Sequence, residues 1–172
     1  MYTNRLQHRN SKIHRAADAV CPFCKMAHQT ATGLMHHLER GNCPKAPLDR
    51  ARMYEAIQRR DPKGILAKRF LTWKQDVKYE ATELAYNYNE EAYECYLCKR
   101  LFQSLASLNQ HLSSPVHQQD LYHCPNSKCK KNFTTLAGVI NHLESEACNF
   151  MRFDAVQSTT QRILDPTRLI KF

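Results

Sequence analysis

Cysteine and histidine are the residues with most chemistry to offer in this chain, and they recur in one pattern. Cys21, Cys24, His37 and Cys43 form a first group, Cys95, Cys98, His111 and His117 a second, and Cys124, Cys129, His142 and Cys148 a third. In each group two cysteines are separated by two or four residues. Twelve residues then lead to a histidine followed by leucine, and a last Cys or His comes five residues later. All eight cysteines are used and none is left over. Paired thiols on a turn, with an imidazole returning from a helix, are the donor set of a tetrahedral zinc site. Four protein ligands close the coordination sphere, so the expected role is structural, and the chain is not expected to be an enzyme. The expected cofactor is zinc, three ions per chain.

The elements that must position these donors follow from the spacing. A turn carries the cysteines, a hairpin is completed after them, and a helix brings the histidine back. Self-similarity along the chain therefore predicts three ββα units. Each is too small to fold on apolar burial alone, and structural zinc contributes about 10–16 kcal/mol in units of this size. A small core accompanies the metal: Tyr93, Phe102 and Leu108 in copy two, and Tyr122, Phe133 and Val139 in copy three. Copy one has Ala19, His28 and Leu34 at the matching places and lacks both aromatics. His28 and His36 are alternatives to His37 as third ligand there. The register favours His37, which Leu34 and Leu38 flank as in the other copies.

The expected fold class is small α+β, three zinc-stabilised ββα units with a helical insert between the first and second. The segments are a basic arm over 1–18, copy one over 19–43, the insert over 44–92, copy two over 93–117, copy three over 118–148, and a tail over 149–172. In the insert, PLDRARMYEAIQRR predicts a helix, with Ala51, Tyr54 and Ile57 at helical spacing. DPKGILAKRFLTWKQ predicts a second, with Asp61 as cap, Pro62 in the first turn, and Leu66, Phe70 and Trp73 on one face. VKYEATELAYNY extends it or forms a third. The tail should hold one short helix before Pro166. Only Gln118 to His123 separates copies two and three, so these two are expected side by side.

The net charge is +9, from 25 basic and 16 acidic residues, which favours polyanionic partners. Arg59, Arg60, Lys63, Lys68 and Arg69 in the insert either form a phosphate-binding surface or coat a solvated helix face. The N-terminal residues contain no apolar run resembling a signal peptide, and no stretch could span a membrane. A reducing compartment is expected, where paired thiols bind metal rather than form disulfides.

Copies two and three resemble the Cys-Cys-His-His zinc-finger superfamily, copy three with the Cys-Cys-His-Cys variant of its donor set. The stretch from Cys21 to Cys148, with YEAIQRRDPKGI in its insert, resembles fungal multi-finger proteins with a HHLE-x-x-x-C first finger and a YHCP…HLESE-x-C last one. The resemblance implies a nuclear, nucleic-acid-binding protein, and a regulatory role is the expected one. Counting back from each helix histidine, the base-facing positions are Thr30, Gly33 and His36, then Ser104, Ser107 and Gln110, then Thr135, Gly138 and Asn141. Only Gln110 and Asn141 suit a base edge, adenine in each case, and QQDLYH is not the TGEKP-like linker of tandem DNA readers. DNA binding with weak readout is therefore the favoured expectation. Lys99, Arg100, Lys128, Lys130 and Lys131, beside the cysteine turns, would contact phosphates. SLNQHLSSPVH also resembles double-stranded-RNA-binding fingers, which read shape. A protein-interaction module with small-residue helix faces is the remaining alternative.

Overall fold

The computed structural model describes residues 18–70 and 77–164. Each finger is a short antiparallel hairpin followed by a helix. Finger one is β1 (Ala19–Val20), β2 (Ala27–His28) and α1 (Ala31–Glu39). The insert contributes α2 (Arg50–Arg60) and β3 (Tyr86–Asn87). Finger two is β4 (Ala92–Glu94), β5 (Leu101–Phe102) and α3 (Leu105–Leu112). Finger three is β6 (Tyr122–His123), β7 (Asn132–Phe133) and α4 (Leu136–Glu144), and the tail forms α5 (Phe153–Ile163). The finger helices begin alike: the hydroxyls of Thr30, Ser104 and Thr135 accept from the amides of Gly33, Ser107 and Gly138, satisfying a donor that the first helical turn leaves unpaired. Asp49 caps α2 in the same way through Arg52 N–H.

The chain divides into two compact units, residues 1–70 with 120–172 and residues 71–119. In the first, α1 of finger one packs against α4 of finger three, and Ala31, Thr32, Met35, Leu136, Ala137 and Ile140 on these helices are buried. Finger three thus has its helix partner in finger one. Two glutamates make this packing reciprocal. The Glu39 carboxylate, at the end of α1, accepts from the Leu136 and Ala137 amides at 2.7 and 2.8 Å. The Glu144 carboxylate, at the end of α4, accepts from the Thr32 amide at 3.2 Å and its hydroxyl at 2.6 Å. Each helix thus ends on the N-terminus of the other, where the helix dipole favours an anion. Gln157 of α5 completes the cap, accepting from Ala31 N–H and donating to Glu144.

The helix expected to start at Asp61 is absent up to Phe70. The Asp61 carboxylate instead gathers the amides of Ile65, Leu66 and Ala67 at 2.6–2.9 Å, and Gly64 takes a positive φ of 63° that ends helical continuation. The chain then runs along β6, with Lys68 N–H donating to Leu121 and His123 N–H to Leu66. An edge offering both a backbone acceptor and a backbone donor won over local helix propensity. Trp73 lies outside the described residues, as do Pro166 and the arm before Asp18. The expected tail helix is present as α5.

In the second unit, residues 77–82 form no regular element, a 3₁₀ turn spans Glu83–Ala85 and β3 follows, where a helix was expected. β3 pairs with β4, adding a third strand to finger two. The Asn109 side chain on α3 accepts from Ala81 N–H at 2.7 Å and donates to Ala81 C=O at 3.0 Å. Gln118 binds Val77 in the same two-way manner. These amides supply the pairing a helix would have made internally. Ala81 with Tyr79 thereby joins Cys95, Leu108, Leu112, Tyr93 and Phe102 in one small core.

Candidate metal centres

Each hairpin turn is built to hold two thiols. Cys21, Cys95 and Cys124 donate their amides across the hairpin to Met26, Arg100 and Lys131 at 2.8–3.0 Å. Lys25 and Lys99, just after the second cysteine, have φ of 64° and 61°, which curls the turn back on the first. The helix then places His37, His111 or His142. The last donor needs a sharp exit. Gly41 (φ 70°) precedes Cys43, Glu146 (φ 54°) precedes Cys148, and a 3₁₀ turn at Pro115–His117 carries His117.

The result is three groups: Cys21, Cys24, His37 and Cys43; Cys95, Cys98, His111 and His117; Cys124, Cys129, His142 and Cys148. Within each, one ligand atom per residue lies within 4.8 Å of the others. Tetrahedral zinc, with bonds of about 2.3 Å to sulfur and about 2.0–2.1 Å to nitrogen, puts S–S edges near ~3.8 Å and S–N edges near ~3.5 Å. The Cys21–Cys43 and Cys124–Cys148 sulfurs are 3.9 and 3.7 Å apart. Sulfur to Nε2 distances are 3.3 Å for Cys24–His37, 3.4 Å for Cys95–His117 and Cys98–His111, and 3.5 Å for Cys129–His142. The donors fit, and each group could hold a zinc ion. Burial pushes the Cys21 thiol up to about 11 and the Cys124 thiol up to about 12. Backbone N–H groups, foremost those of Met26 and Lys131, lower Cys24 and Cys129. A cation among the donors reverses the penalty on the buried thiols, because thiolate is the ligating form.

His28 stands outside the first donor group. Its ring lies 4.9 Å from that of His37 at 41°, the place Phe102 takes against His111 (4.7 Å, 34°) and Phe133 against His142 (5.2 Å, 35°). It is the core filler of finger one. Its Nε2 is buried without a partner, and burial, then the nearby His37, lowers its pKa.

The expected contact residues fare unequally. In fingers one and three the face toward the helix N-terminus is consumed by the pairing: Thr30, Thr32, Leu136 and Ala137 are buried, and Gly33 and Gly138 half-buried. Thr30 and Thr135 act as caps. His36 is half-buried, and Asn141 is exposed. In finger two Ser107 and Gln110 are exposed and Ser104 is half-buried, capping α3 and meeting the Ser107 hydroxyl at 2.9 Å. Arg100, Lys128, Lys130 and Lys131 are exposed, while Lys99 pairs with Glu94 at 2.9 Å.

Residues 93–117 match the model of a zinc-finger family of C2H2 type. No curated protein and no solved structure matches the chain. Together with the three donor groups, that match is consistent with a multi-finger zinc-finger protein, a zinc-binding module of a kind that commonly binds nucleic acid or protein.

Proposed function

We propose that the chain is a zinc-dependent nucleic-acid-binding protein of the nucleus, regulatory in role, whose contact is led by finger two. DNA is the favoured target, with weak base readout. The observation that carries this reading is the contrast between the finger helices. α3 offers Ala106, Ser107 and Gln110 to solvent, whereas α1 and α4 spend their first turns on one another. Arg100 flanks the exposed helix, with Lys128, Lys130 and Lys131 supplying further positive charge in finger three. Phosphate contacts would supply most of the affinity, with Gln110 offering a bidentate amide to adenine. Closed four-donor metal groups leave no position for a reacting water, so the reading is of a binding module.

A second reading, shape-selective binding of double-stranded RNA, draws on the small side chains of α3 and the separate 3₁₀ turn that carries His117. Titrating the full chain with random duplex DNA, duplex RNA and single strands at two salt concentrations tests both. Duplex DNA should bind most tightly, and each phosphate contact removed, as in Arg100→Ala, should flatten the log–log salt slope by about one. Preference for duplex RNA selects the second reading. Binding to no nucleic acid at low salt refutes both.

A further inference from the structure

An acidic surface lies in the same unit as the proposed nucleic-acid contact. From Tyr79 to Cys98 the chain carries five glutamates, Glu80, Glu83, Glu90, Glu91 and Glu94, and no lysine, arginine or histidine. Five of the eight tyrosines fall in the same twenty residues. In a chain of net charge +9 this is a sharp local reversal.

These residues are folded, not slack. Tyr86 on β3 meets Tyr88 and Tyr93 edge-on, with ring centroids 5.1 Å apart in each case. The Tyr93 hydroxyl donates to Glu83 at 2.6 Å. Asn87 fixes the hairpin turn, accepting from the Asn89 and Glu90 amides while its own amide donates to Glu94. The sheet order β3-β4-β5 leaves β3 at an edge. What the fold then exposes is costly: Tyr88 is 85% accessible, and Leu84, on the 3₁₀ turn beside β4, is 95% accessible. Leu84 and Tyr88 thus flank the edge strand on either side in sequence, both open to an incoming chain.

The charge around it selects the occupant. Glu90 and Glu91 are exposed at the hairpin tip, and like charge disfavours a phosphate backbone. A cationic chain gains from these carboxylates and can stack its cations on tyrosine faces. Its aliphatic stems can cover Leu84, and its backbone can pair along β3. We propose that this edge docks an extended, lysine- and arginine-bearing segment of a partner protein. The proposal stands apart from the nucleic-acid reading and would hold if that reading failed. Were both correct, finger two would bridge the two partners, its helix face toward nucleic acid and its glutamate-rich edge toward a basic protein.

The test uses the zinc-loaded full chain and three fluorescein-labelled peptides of equal length, in which leucine alternates with lysine, glutamate or serine. The lysine peptide should raise anisotropy well below the concentrations the other two need. Leu84→Ser and Tyr88→Ala should each weaken it roughly tenfold, and Glu90→Gln with Glu91→Gln should flatten its salt dependence. All four side chains are exposed, so zinc content and duplex binding should stay unchanged. Equal binding of the lysine and serine peptides overturns the proposal, as does indifference to Leu84→Ser and Tyr88→Ala. Loss of duplex binding in those variants overturns it too, by assigning the edge to nucleic acid. A fall in sedimenting mass on Leu84→Ser would overturn it in favour of a second copy of the chain.

Discussion

Glu39→Ala should unfasten fingers one and three, and the size of the effect can be worked from the caps. The substitution leaves the Leu136 and Ala137 amides without the carboxylate they now reach at 2.7 and 2.8 Å. Leu136 is 1% and Ala137 0% accessible, so water cannot readily replace it. An unsatisfied buried donor costs about 1–3 kcal/mol, and loss of the anion at a helix N-terminus about 0.3–2 kcal/mol. For two such donors the low ends of these ranges give about 2–3 kcal/mol, a large part of the roughly 5–15 kcal/mol that holds a domain together. Urea unfolding of the zinc-loaded protein should register that loss. Hydrogen exchange should localise it, with the Leu136 and Ala137 amides exchanging about 10²-fold faster. Glu144→Ala should act likewise on the first turn of α1. The double variant should cost less than the two singles together, because one interface carries both caps. A loss under ~1 kcal/mol with unchanged exchange at these amides would refute the capping argument.

Metal analysis should return three zinc ions per chain, and a value near two would empty one of the donor groups. Cys24→Ser should release the ion of finger one and loosen finger three toward a chelator, since α1 and α4 share an interface, while finger two keeps its metal. His37→Ala should abolish binding in finger one, whereas His28→Phe should preserve it. His28→Phe should also stabilise the protein by about 1 kcal/mol, replacing a buried unpartnered nitrogen with the ring found in fingers two and three. The folded pKa of His28 is depressed, so below the ordinary value of 6.5 the unfolded chain binds the extra proton first. Stability is then lost as pH falls, and the advantage of His28→Phe, read from thermal melts, should grow from neutral pH toward pH ~5.5. Asp61→Ala should cost about 1–3 kcal/mol by freeing the three amides it gathers, with faster exchange at Ile65, Leu66 and Ala67 as the check.

Ligand spacing was legible because a metal site is closed by local geometry: a turn, a hairpin and a helix decide which side chains converge. For the same reason α2 was legible from Ala51, Tyr54 and Ile57. The segment after Asp61 misled because its Asp-Pro start is a sound helix signal that an open β6 edge overrode. Val77 to Tyr88 misled because the side chains of Asn109 and Gln118, distant in sequence, supply its backbone partners. The pairing of fingers one and three was tertiary, yet it left a trace. Both carry His-Leu-Glu, at Glu39 and Glu144, where finger two carries His-Leu-Ser, at Ser113.

That one position separates the packing of the three finger helices. A glutamate there reaches across to the first turn of the opposing helix, and it can do so only if both helices surrender the faces a groove would otherwise receive. Ala31 and Thr32 are buried with Met35, and Leu136 and Ala137 with Ile140. The corresponding residues of finger two are Leu105, Ala106 and Asn109. Leu105 is half-buried, Ala106 exposed, and Asn109 turned to Ala81 of its own unit. With serine in place of glutamate, α3 has no carboxylate to lend and receives none at Ser107, whose amide is held by Ser104 alone among the described bonds. Among the described residues, the helix without a reciprocal carboxylate cap is the one whose Ser107 and Gln110 stay exposed.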